Sequence, residues 1–299
     1  MKEELKRLIT EKSNEKTKNI DRVSVREKLR MINDEDKTVP YDVEKALPEI
    51  EKVIGLTVKS LKQNGKVIYI GAGTSGRMGV VDASEIFPTF GETNAFKGII
   101  AGGIEALVTP IENAEDLESN GKEDINKIRV TQKDTVIGIT ASGRTPYVIA
   151  ALKRANDIGA YTAAISNISE PLVKDVVDVS IEVVTGPEVI TGSTRMKAGT
   201  SQKMILNMIS TVTMIEMGKV YQNLMVDLVV TNKKLEQRAI KTIELATDLD
   251  YYTAKNYYEK SGKLPRVAIY MALTGSTKEE ALTRLKNAEG HLYKALGEN

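Results

Sequence analysis

Short apolar runs alternate with helix-like segments through the middle of the chain. The runs are rich in Val, Ile, Ala and Tyr and carry almost no charge. They predict strands at residues 66–71, 97–101, 135–140, 161–166 and 179–184. Runs that are apolar on both faces are typical of parallel strands covered by helices on each side. The pattern therefore predicts an α/β fold around a five-stranded parallel sheet.

The segments between and after these runs repeat their apolar residues with a helical period. The predicted helices are 41–64, 76–87, 106–112 with the segment after it, 145–158, 171–175, 201–218, 234–246, 250–261, 265–273 and 277–296. Repeated alternation of strand and helix predicts a doubly wound, flavodoxin-like sheet with strand order 2-1-3-4-5. In that topology a ligand binds beyond the carboxyl ends of strands 1 and 3.

Three regions differ in their patterning. Residues 1–50 are strongly charged, with too few apolar positions for a core of their own, and are expected to form an N-terminal helical arm around a larger domain. Residues 51–222 hold the predicted sheet and form the central domain. Residues 223–299 contain short helical patterns and are expected to form a small C-terminal helical subdomain.

Two similar loops follow predicted strands 1 and 3. The first is Ile70-Gly-Ala-Gly-Thr-Ser-Gly-Arg77 and the second is Ile139-Thr-Ala-Ser-Gly-Arg-Thr-Pro146, and both lead into helical sequence. A glycine-rich turn at a helix start offers backbone N–H groups to an anion, and hydroxyls add donors. We therefore predict one phosphate site built from both loops. Its expected binding residues are Thr74, Ser75, Gly76, Thr140, Ser142, Gly143 and Thr145.

Other interpretations of these loops stay open at this point. The first loop matches the G-x-G-x-x-G pattern of dinucleotide sites, for which Glu92 is the available ribose-binding acid, but Glu92 does not end a predicted strand. Ser142, Gly143 and Thr145 can also act simply as the start of a helix. The Walker pattern is missing, which argues against a nucleoside triphosphatase.

Candidate acids and cations lie close to the predicted phosphate site. Asp82 and Glu85 stand three residues apart after the first loop, which predicts one helical face, and Glu85 between apolar residues is expected to be partly buried. A second acidic cluster, 112–116, follows strand 2. The connection 185–200 contributes Arg195 and Lys197 as candidate ligands for an anionic group.

Composition narrows the chemistry further. The 42 Lys and Arg residues balance 41 Asp and Glu residues, so no overall charge attracts nucleic acid or anionic lipid. The absence of Cys and the presence of one His argue against a metal site, and no cofactor is expected. No apolar run approaches the length of a membrane span, and the first residues lack a signal-peptide pattern. We expect a soluble cytoplasmic protein that does not associate with membranes.

Four motifs together resemble the N-acetylmuramic acid 6-phosphate etherases. They are the first loop with Arg77, the segment Asp82-Ala-Ser-Glu85, the second loop, and Gly192-Ser-Thr-Arg-Met-Lys-Ala-Gly-Thr200. The resemblance continues through 32–40 and 223–227 and weakens in the C-terminal helices. It implies a sugar isomerase domain that binds a sugar phosphate. Glucokinase regulatory protein is a relative of the same type, so a noncatalytic sensor stays an alternative.

The resemblance implies a reaction that two carboxyl groups can carry out. The etherases remove D-lactate from C3 of N-acetylmuramic acid 6-phosphate, leaving N-acetylglucosamine 6-phosphate, by elimination and then addition of water. By resemblance Glu85 is the proton donor to the leaving lactate, and Glu115 is the second catalytic acid and the base at C2. From the residues alone Glu115 is not separable from Glu112 or Asp116. The resemblance also implies a homodimer and no cofactor.

Two further functions are alternatives to the etherase hypothesis. A sugar-phosphate isomerase would use the same C2 proton without releasing lactate. A transcription regulator with a sugar isomerase domain is disfavoured, because the chain is not basic and no DNA-binding helix pair precedes the predicted sheet.

Overall fold

Five parallel strands form a sheet in the order β2 (Phe96–Ile100), β1 (Val67–Gly71), β3 (Thr135–Thr140), β4 (Tyr161–Ser166) and β5 (Val179–Glu182), and the two glycine-rich loops follow β1 and β3 at its carboxyl edge. The computed structural model describes residues 9–230 and 232–298. All neighbouring strands pair in parallel. The predicted fold class and strand order are confirmed.

Helices precede, connect and follow these strands. The α-helices up to the end of the sheet region are α1 Val25–Asp36, α2 Val39–Glu44, α3 Leu47–Lys62, α4 Gly73–Ser84, α5 Ile86–Phe90, α6 Glu118–Lys127, α7 Pro146–Ile158 and α8 Lys197–Glu216. Short 3₁₀ helices are found at Ile9–Glu11, Glu15–Thr17, Ile20–Arg22, Ile104–Leu107 and Leu172–Val176. After α8 come the strands β6 Val220–Tyr221 and β7 Leu224–Met225, then α9 Lys233–Thr247, α10 Tyr251–Lys260, α11 Pro265–Thr274, α12 Lys278–Asn287 and α13 Leu292–Leu296.

The chain divides into two compact units. Unit 1 comprises the chain up to Ser84 together with Asn94–Ser210, and it holds the parallel sheet. Unit 2 comprises Glu85–Thr93 and the chain from Thr211 onward, and it holds α9 to α13 and the small antiparallel β6-β7 pair. The segment Glu85–Thr93, which the sequence pattern joins to the central domain, therefore belongs to the helical unit.

The core of unit 1 is formed where the sheet meets its connecting helices. Ile68, Ile70 and Val136 of the strands pack with apolar residues of α7, including Val148 and Leu152, and all five are fully buried. All residues of β1 and β3, on both faces of the sheet, are buried, as expected for parallel strands covered on each side. This core holds the loops that follow β1 and β3 at one edge of the sheet.

The core of unit 2 is separate and is built by α9 to α13. Ile240 and Ile243 of α9 pack with Tyr258 of α10 and Ile269 of α11, all of them almost fully buried. Leu285 of α12 joins the same cluster. The C-terminal helices thus bury a hydrophobic core of their own.

Several predicted helices are wrong in their extent. The helix expected over 41–64 is divided into α2, which ends at Glu44, and α3, which begins at Leu47. The helix expected over 76–87 ends at Ser84, and a second helix begins at Ile86. Of the helix expected over 106–112 and the segment after it, the structure has the end of the 3₁₀ helix Ile104–Leu107 and then α6 from Glu118. The helix expected over 277–296 is broken, because Gly290 adopts a φ of +87° between α12 and α13. Among the described residues, no helix is both long and apolar enough to cross a membrane.

Candidate functional site

The first glycine-rich loop joins β1 to α4 at the carboxyl edge of the sheet. β1 ends at Gly71 and α4 begins at Gly73, so the predicted binding residues 74–76 form the first turn of the helix. Gly76 donates its backbone N–H to the carbonyl of Ala72 at 3.2 Å. Helical N–H groups that precede such a first bond have no acceptor within the helix. The turn therefore presents free donors and the positive end of the helix dipole to an anion.

Gly71 and Gly76 allow the strand and the helix to approach each other closely. A Cβ atom added at Gly76 would lie 2.7 Å from the carbonyl oxygen of Gly71, and one added at Gly71 would lie 2.8 Å from the backbone nitrogen of Gly76. Both contacts are with backbone atoms, which cannot swing away as a flexible side chain can. The spacing of the two glycines is therefore a packing requirement of this turn.

The second loop lies beside the first, because β3 pairs directly with β1. The register places Ile139 opposite Gly71, so both loops leave the sheet at the same level. Thr140 ends β3 and is buried, and its Oγ1 lies 2.8 Å from Oγ1 of Thr145. Thr145 precedes α7, but its side chain makes no capping bond to the helix. The two hydroxyls are thus held together next to the start of α7.

Gly143 gives the second loop its shape. Its φ is +67°, and a Cβ atom there would collide with the ring of Pro171. Its carbonyl accepts a hydrogen bond from the N–H of Val173 at 2.9 Å. Ser142, the remaining predicted binder in this loop, is half-buried. The loop is therefore packed against the segment that follows β4.

The third motif approaches the first loop at the start of α8. A Cβ atom added at Gly199 would lie 3.3 Å from Cγ2 of Thr74, so the first turn of α8 and the first turn of α4 are in close contact. Arg195, in the turn before α8, is exposed. The structure thus brings all three glycine-containing motifs of the sequence to one edge of the sheet.

Lys197 lies in a buried ion pair instead of being exposed. Its Nζ is 2.7 Å from Oε2 of Glu35, and the two side chains are 3% and 7% exposed. Asn14 donates to the same carboxylate at 2.9 Å, and Lys16 lies 3.1 Å from its other oxygen. Burial raises the pKa of Glu35, but the bonds from Lys197, Lys16 and Asn14 outweigh it and hold the pKa below its usual 4.5. The N-terminal arm is thereby tied to the start of α8.

Glu188 caps α8. Its two carboxylate oxygens accept from the backbone N–H groups of Lys197 and Ala198, each at 2.9 Å. Burial raises the pKa of this carboxyl, and the two N–H bonds oppose that shift. The cap lets α8 begin at Lys197, four residues earlier than the predicted start at Ser201.

Glu115 and Glu112 line a cavity next to the first loop. The cavity measures about 250 Å³, and its wall also includes Gly73 and Arg77. Asp116, the third candidate in this cluster, is not part of the wall. The side chain of Glu115 is exposed to solvent at this cavity. The geometry therefore separates Asp116 from the other two acids and leaves Glu112 beside Glu115.

Backbone hydrogen bonds position the segment that carries Glu115. Its carbonyl accepts the N–H of Tyr147 in α7 at 3.0 Å. Arg77 of α4 donates to the carbonyls of Ala106 and Leu107, at 2.6 and 3.0 Å, which holds the 3₁₀ turn before the acidic cluster. Arg77 is thus engaged with backbone carbonyls.

Glu85 lies between two helices. It follows α4 and stands at the N-cap position of α5, without a capping bond from its side chain. Its side chain is exposed, whereas Asp82 is 6% exposed. The expectations of one continuous helical face and of a partly buried Glu85 are therefore wrong for this chain, because α4 ends at Ser84. Glu85 belongs to unit 2 and Glu115 to unit 1.

Asp82 joins α4 to α8 inside unit 1. Its Oδ1 accepts hydrogen bonds from Nδ2 of Asn207 at 2.6 Å and from Oγ of Ser210 at 3.1 Å. Burial raises the pKa of Asp82 above its usual 3.8, although these two bonds oppose that shift. The carboxylate consequently has a structural position between the helices.

The raised pKa of Asp82 predicts that ionisation of this residue lowers the free energy of unfolding in a pH-dependent way. As the pH rises above about 3.8, the unfolded chain loses the Asp82 proton more readily than the folded chain, so the free energy of unfolding falls. Asp82→Asn should therefore gain stability relative to wild type as the pH rises through the acidic range. Urea unfolding at a series of pH values measures this difference. The control Asp157→Asn, at an exposed position of α7, should follow the wild-type slope; an unchanged slope for Asp82→Asn would contradict the prediction.

Several residues of this edge were not anticipated from the sequence. Glu35, Glu188 and Asn167 are almost inaccessible, and each holds another segment through hydrogen bonds. Asn167 donates to Ser201 at 2.7 Å and accepts from Gln202 at 2.9 Å. The available signal is a polar residue within an apolar or glycine-rich stretch, as at Glu188. Within the described ranges, no group of three His, Cys, Asp or Glu side chains could hold a metal ion.

Comparison with known proteins gives relatives over nearly the full chain. An N-acetylmuramic acid 6-phosphate etherase from Oceanobacillus iheyensis is 53% identical over 291 residues, which are 97% of this chain and 99% of the relative. A protein of the same name from a Geobacillus species is 51% identical over 293 residues, 98% of this chain and 99% of that protein. A family model described as the glucokinase regulatory protein N-terminal SIS domain matches residues 49–156.

Solved structures share the sheet region. The phosphoheptose isomerase of Francisella tularensis aligns with a TM-score of 0.52 at 17% identity, covering 64% of this chain and 98% of its own. The phosphoheptose isomerase of Neisseria gonorrhoeae gives a TM-score of 0.50 at 17% identity, with 64% and 99% coverage. At these identities the likeness establishes the sugar isomerase fold.

Proposed function

This chain belongs to the N-acetylmuramic acid 6-phosphate etherase family, and we propose that it cleaves the lactyl ether of N-acetylmuramic acid 6-phosphate. The products are N-acetylglucosamine 6-phosphate and D-lactate, so the enzyme is a carbon–oxygen lyase of cell-wall amino sugar breakdown. The supporting observation is that Glu115 lines a cavity whose wall includes Gly73 of the first glycine-rich loop. A carboxylate thus stands next to a turn suited to a phosphate.

The two loops are proposed to hold the phosphate of the substrate. Ser75, Ser142 and Thr145 supply hydroxyl donors, with Thr74 and Thr140 beside them, and the first turn of α4 supplies backbone N–H groups. Gly76 lets α4 begin close to the end of β1, and Gly143 lets the second loop pack against Pro171, so both turns keep the shape that the ligand requires. Arg195 and Lys197 stay proposed ligands, and the ion pair of Lys197 with Glu35 means that its side chain contributes as part of a buried network. A phosphate held in this way fixes the far end of the sugar.

The chemistry is an elimination followed by hydration. An ether is a poor target for direct displacement, whereas the ring-opened sugar carries a C1 aldehyde that acidifies the proton on C2. A base removes this proton, the C3–O bond breaks, and an acid protonates the departing lactate oxygen. Water then adds across the unsaturated intermediate at C3, and C2 regains a proton.

Two carboxyl groups carry the proton transfers in this proposal. Glu115 takes the C2 proton, and Glu85 gives a proton to the leaving lactate. The reaction is redox-neutral and needs no electron carrier. The enzyme is further proposed to act as a homodimer in the cytoplasm; some apolar residues of α8 are exposed, such as Val212 and Ile215, while others, such as Ile205 and Ile209, are buried.

Release of D-lactate tests the proposed reaction directly. Purified protein mixed with N-acetylmuramic acid 6-phosphate should produce D-lactate and N-acetylglucosamine 6-phosphate in equal amounts, measured with a lactate-specific dehydrogenase and by mass spectrometry. N-acetylglucosamine 6-phosphate alone is the control and should release no lactate. Binding of the substrate without lactate release would overturn the proposal and favour a sugar-phosphate sensor.

A further inference from the structure

A large cavity lies within unit 2 and contains none of the residues proposed for substrate binding. It measures about 750 Å³, which is within the range of small-molecule sites. Its wall is mainly apolar, with Val226, Leu228, Leu264, Val267 and Leu285 among the lining residues. A site of this size and polarity matches a ligand with an apolar body.

The charged groups of the wall leave positive charge uncompensated. Asp227 is paired with Lys219 at 3.2 Å and with Arg266 at 3.1 Å, and Glu236 is paired with Lys263 at 3.8 Å. Lys219 also pairs with Glu92, so three acids balance three of the four cations of the wall, and the fourth cation is Lys286. An occupant with one negative group would complete the charge balance of this cavity.

Lys286 stands alone in this wall. Within the described part of the chain it forms no ion pair, and its side chain is exposed at the cavity. It lies in the last turn of α12, where a positive charge interacts favourably with the negative end of the helix dipole. It is the cation of the wall best placed to receive an anionic group, because no carboxylate competes for it.

Tyr258 supplies a second, independent indication of a ligand. This side chain is fully buried and lines the cavity, yet its hydroxyl finds no hydrogen-bond partner among the described residues. A buried polar group without a hydrogen-bond partner destabilises the folded state. A ligand acceptor in the cavity would remove that cost.

We propose that unit 2 binds a small organic anion with an apolar body, at a site distinct from the proposed sugar-phosphate site. The anionic group pairs with Lys286, an acceptor of the ligand takes the hydroxyl of Tyr258, and the apolar body fills the space beside Val267 and Leu285. The wall also includes Phe90 and Gly91. Phe90 ends α5, the short helix that begins directly after Glu85.

The probe for this site is 1-anilinonaphthalene-8-sulfonate, which joins an apolar aromatic body to one sulfonate. Titration of the full-length protein, followed by fluorescence, should saturate at one probe per chain. Lys286→Glu should weaken binding about tenfold, a loss equivalent to about 1.4 kcal/mol. The matched control is Arg284→Glu, also in the last turn of α12 but outside the cavity wall, and it should bind the probe like wild type.

A second variant separates binding from folding. Tyr258→Phe removes the unpartnered hydroxyl, so thermal stability should stay equal to wild type or rise, while probe affinity falls severalfold. Equal probe affinity for wild type, Lys286→Glu and Tyr258→Phe would overturn the proposal, as would binding of many probes per chain. Neither measurement uses the substrate, so the result is independent of whether the protein releases lactate.

Discussion

Replacing Glu115 by Gln is expected to lower kcat for lactate release by about 10²- to 10⁴-fold and to leave KM close to the wild-type value. Gln keeps the shape of Glu but cannot accept the C2 proton. Glu112→Gln is the matched control, because Glu112 lines the same cavity and is exposed like Glu115. Steady-state assays of D-lactate release measure both variants. If kcat fell only in Glu112→Gln, the base that removes the C2 proton would be Glu112 instead of Glu115.

Proton exchange in D₂O distinguishes the roles proposed for the two catalytic acids. Glu85→Gln should still exchange the C2 proton of the substrate for deuterium while releasing little lactate, because only protonation of the leaving group is impaired. Glu115→Gln should show neither exchange nor release. NMR of the recovered substrate reports the exchange. The opposite pattern would reverse the assignment of acid and base.

Replacing Glu35 by Gln is expected to lower the free energy of unfolding by about 3 to 5 kcal/mol. The reason is that Lys197 would keep a buried positive charge without its carboxylate partner at 2.7 Å. Urea unfolding at neutral pH measures the loss. Glu15→Gln is the control, since Glu15 forms an exposed ion pair with Lys18 and should change stability by no more than about 1 kcal/mol.

A double variant and the pH dependence test the cause of this loss. Lys197→Met combined with Glu35→Gln should recover part of the stability, because the buried charge is then removed with its partner. In wild type the pKa of Glu35 is lowered, so its contribution is present above about 4.5 and is lost as the pH falls through the lowered value. If the double variant were no more stable than Glu35→Gln, the unpaired charge of Lys197 would not be the cause of the lost stability.

The two glycine-rich loops illustrate how far local patterns reach. Their position after strands 1 and 3 followed from runs of apolar residues, and the parallel order of the sheet then made them neighbours. The acidic cluster 112–116 was also found from the sequence, but its residues alone did not distinguish its members, and only the family resemblance pointed to Glu115. The structure excludes Asp116 from the wall of the cavity beside Gly73 and leaves Glu112 and Glu115 there. This segment has neither helical nor strand periodicity, so the sequence pattern could not predict which acids line the cavity.

The extents of helices were less predictable than their existence. Helical periodicity continues past Ser84, yet α4 stops there and Glu85 starts the segment that joins unit 2. α8 starts early because the Glu188 carboxylate, nine residues away along the chain, accepts the N–H groups at its first turn. A capping partner of this kind lies outside the helix that it caps, so the helix propensity of the capped residues cannot predict it.

The sequence by itself determined the sheet, its strand order and the two glycine-rich loops. The spacing of apolar residues and the positions of glycines are local properties of the chain, and the parallel sheet that they predict places the two loops side by side. Tertiary structure alone decided the buried pairing of Lys197 with Glu35, the cavity shared by Glu112 and Glu115, and the membership of Glu85 in the helical unit. These features depend on contacts between segments far apart in the chain. Their energies arise from burial and charge pairing that exist only after the chain has folded.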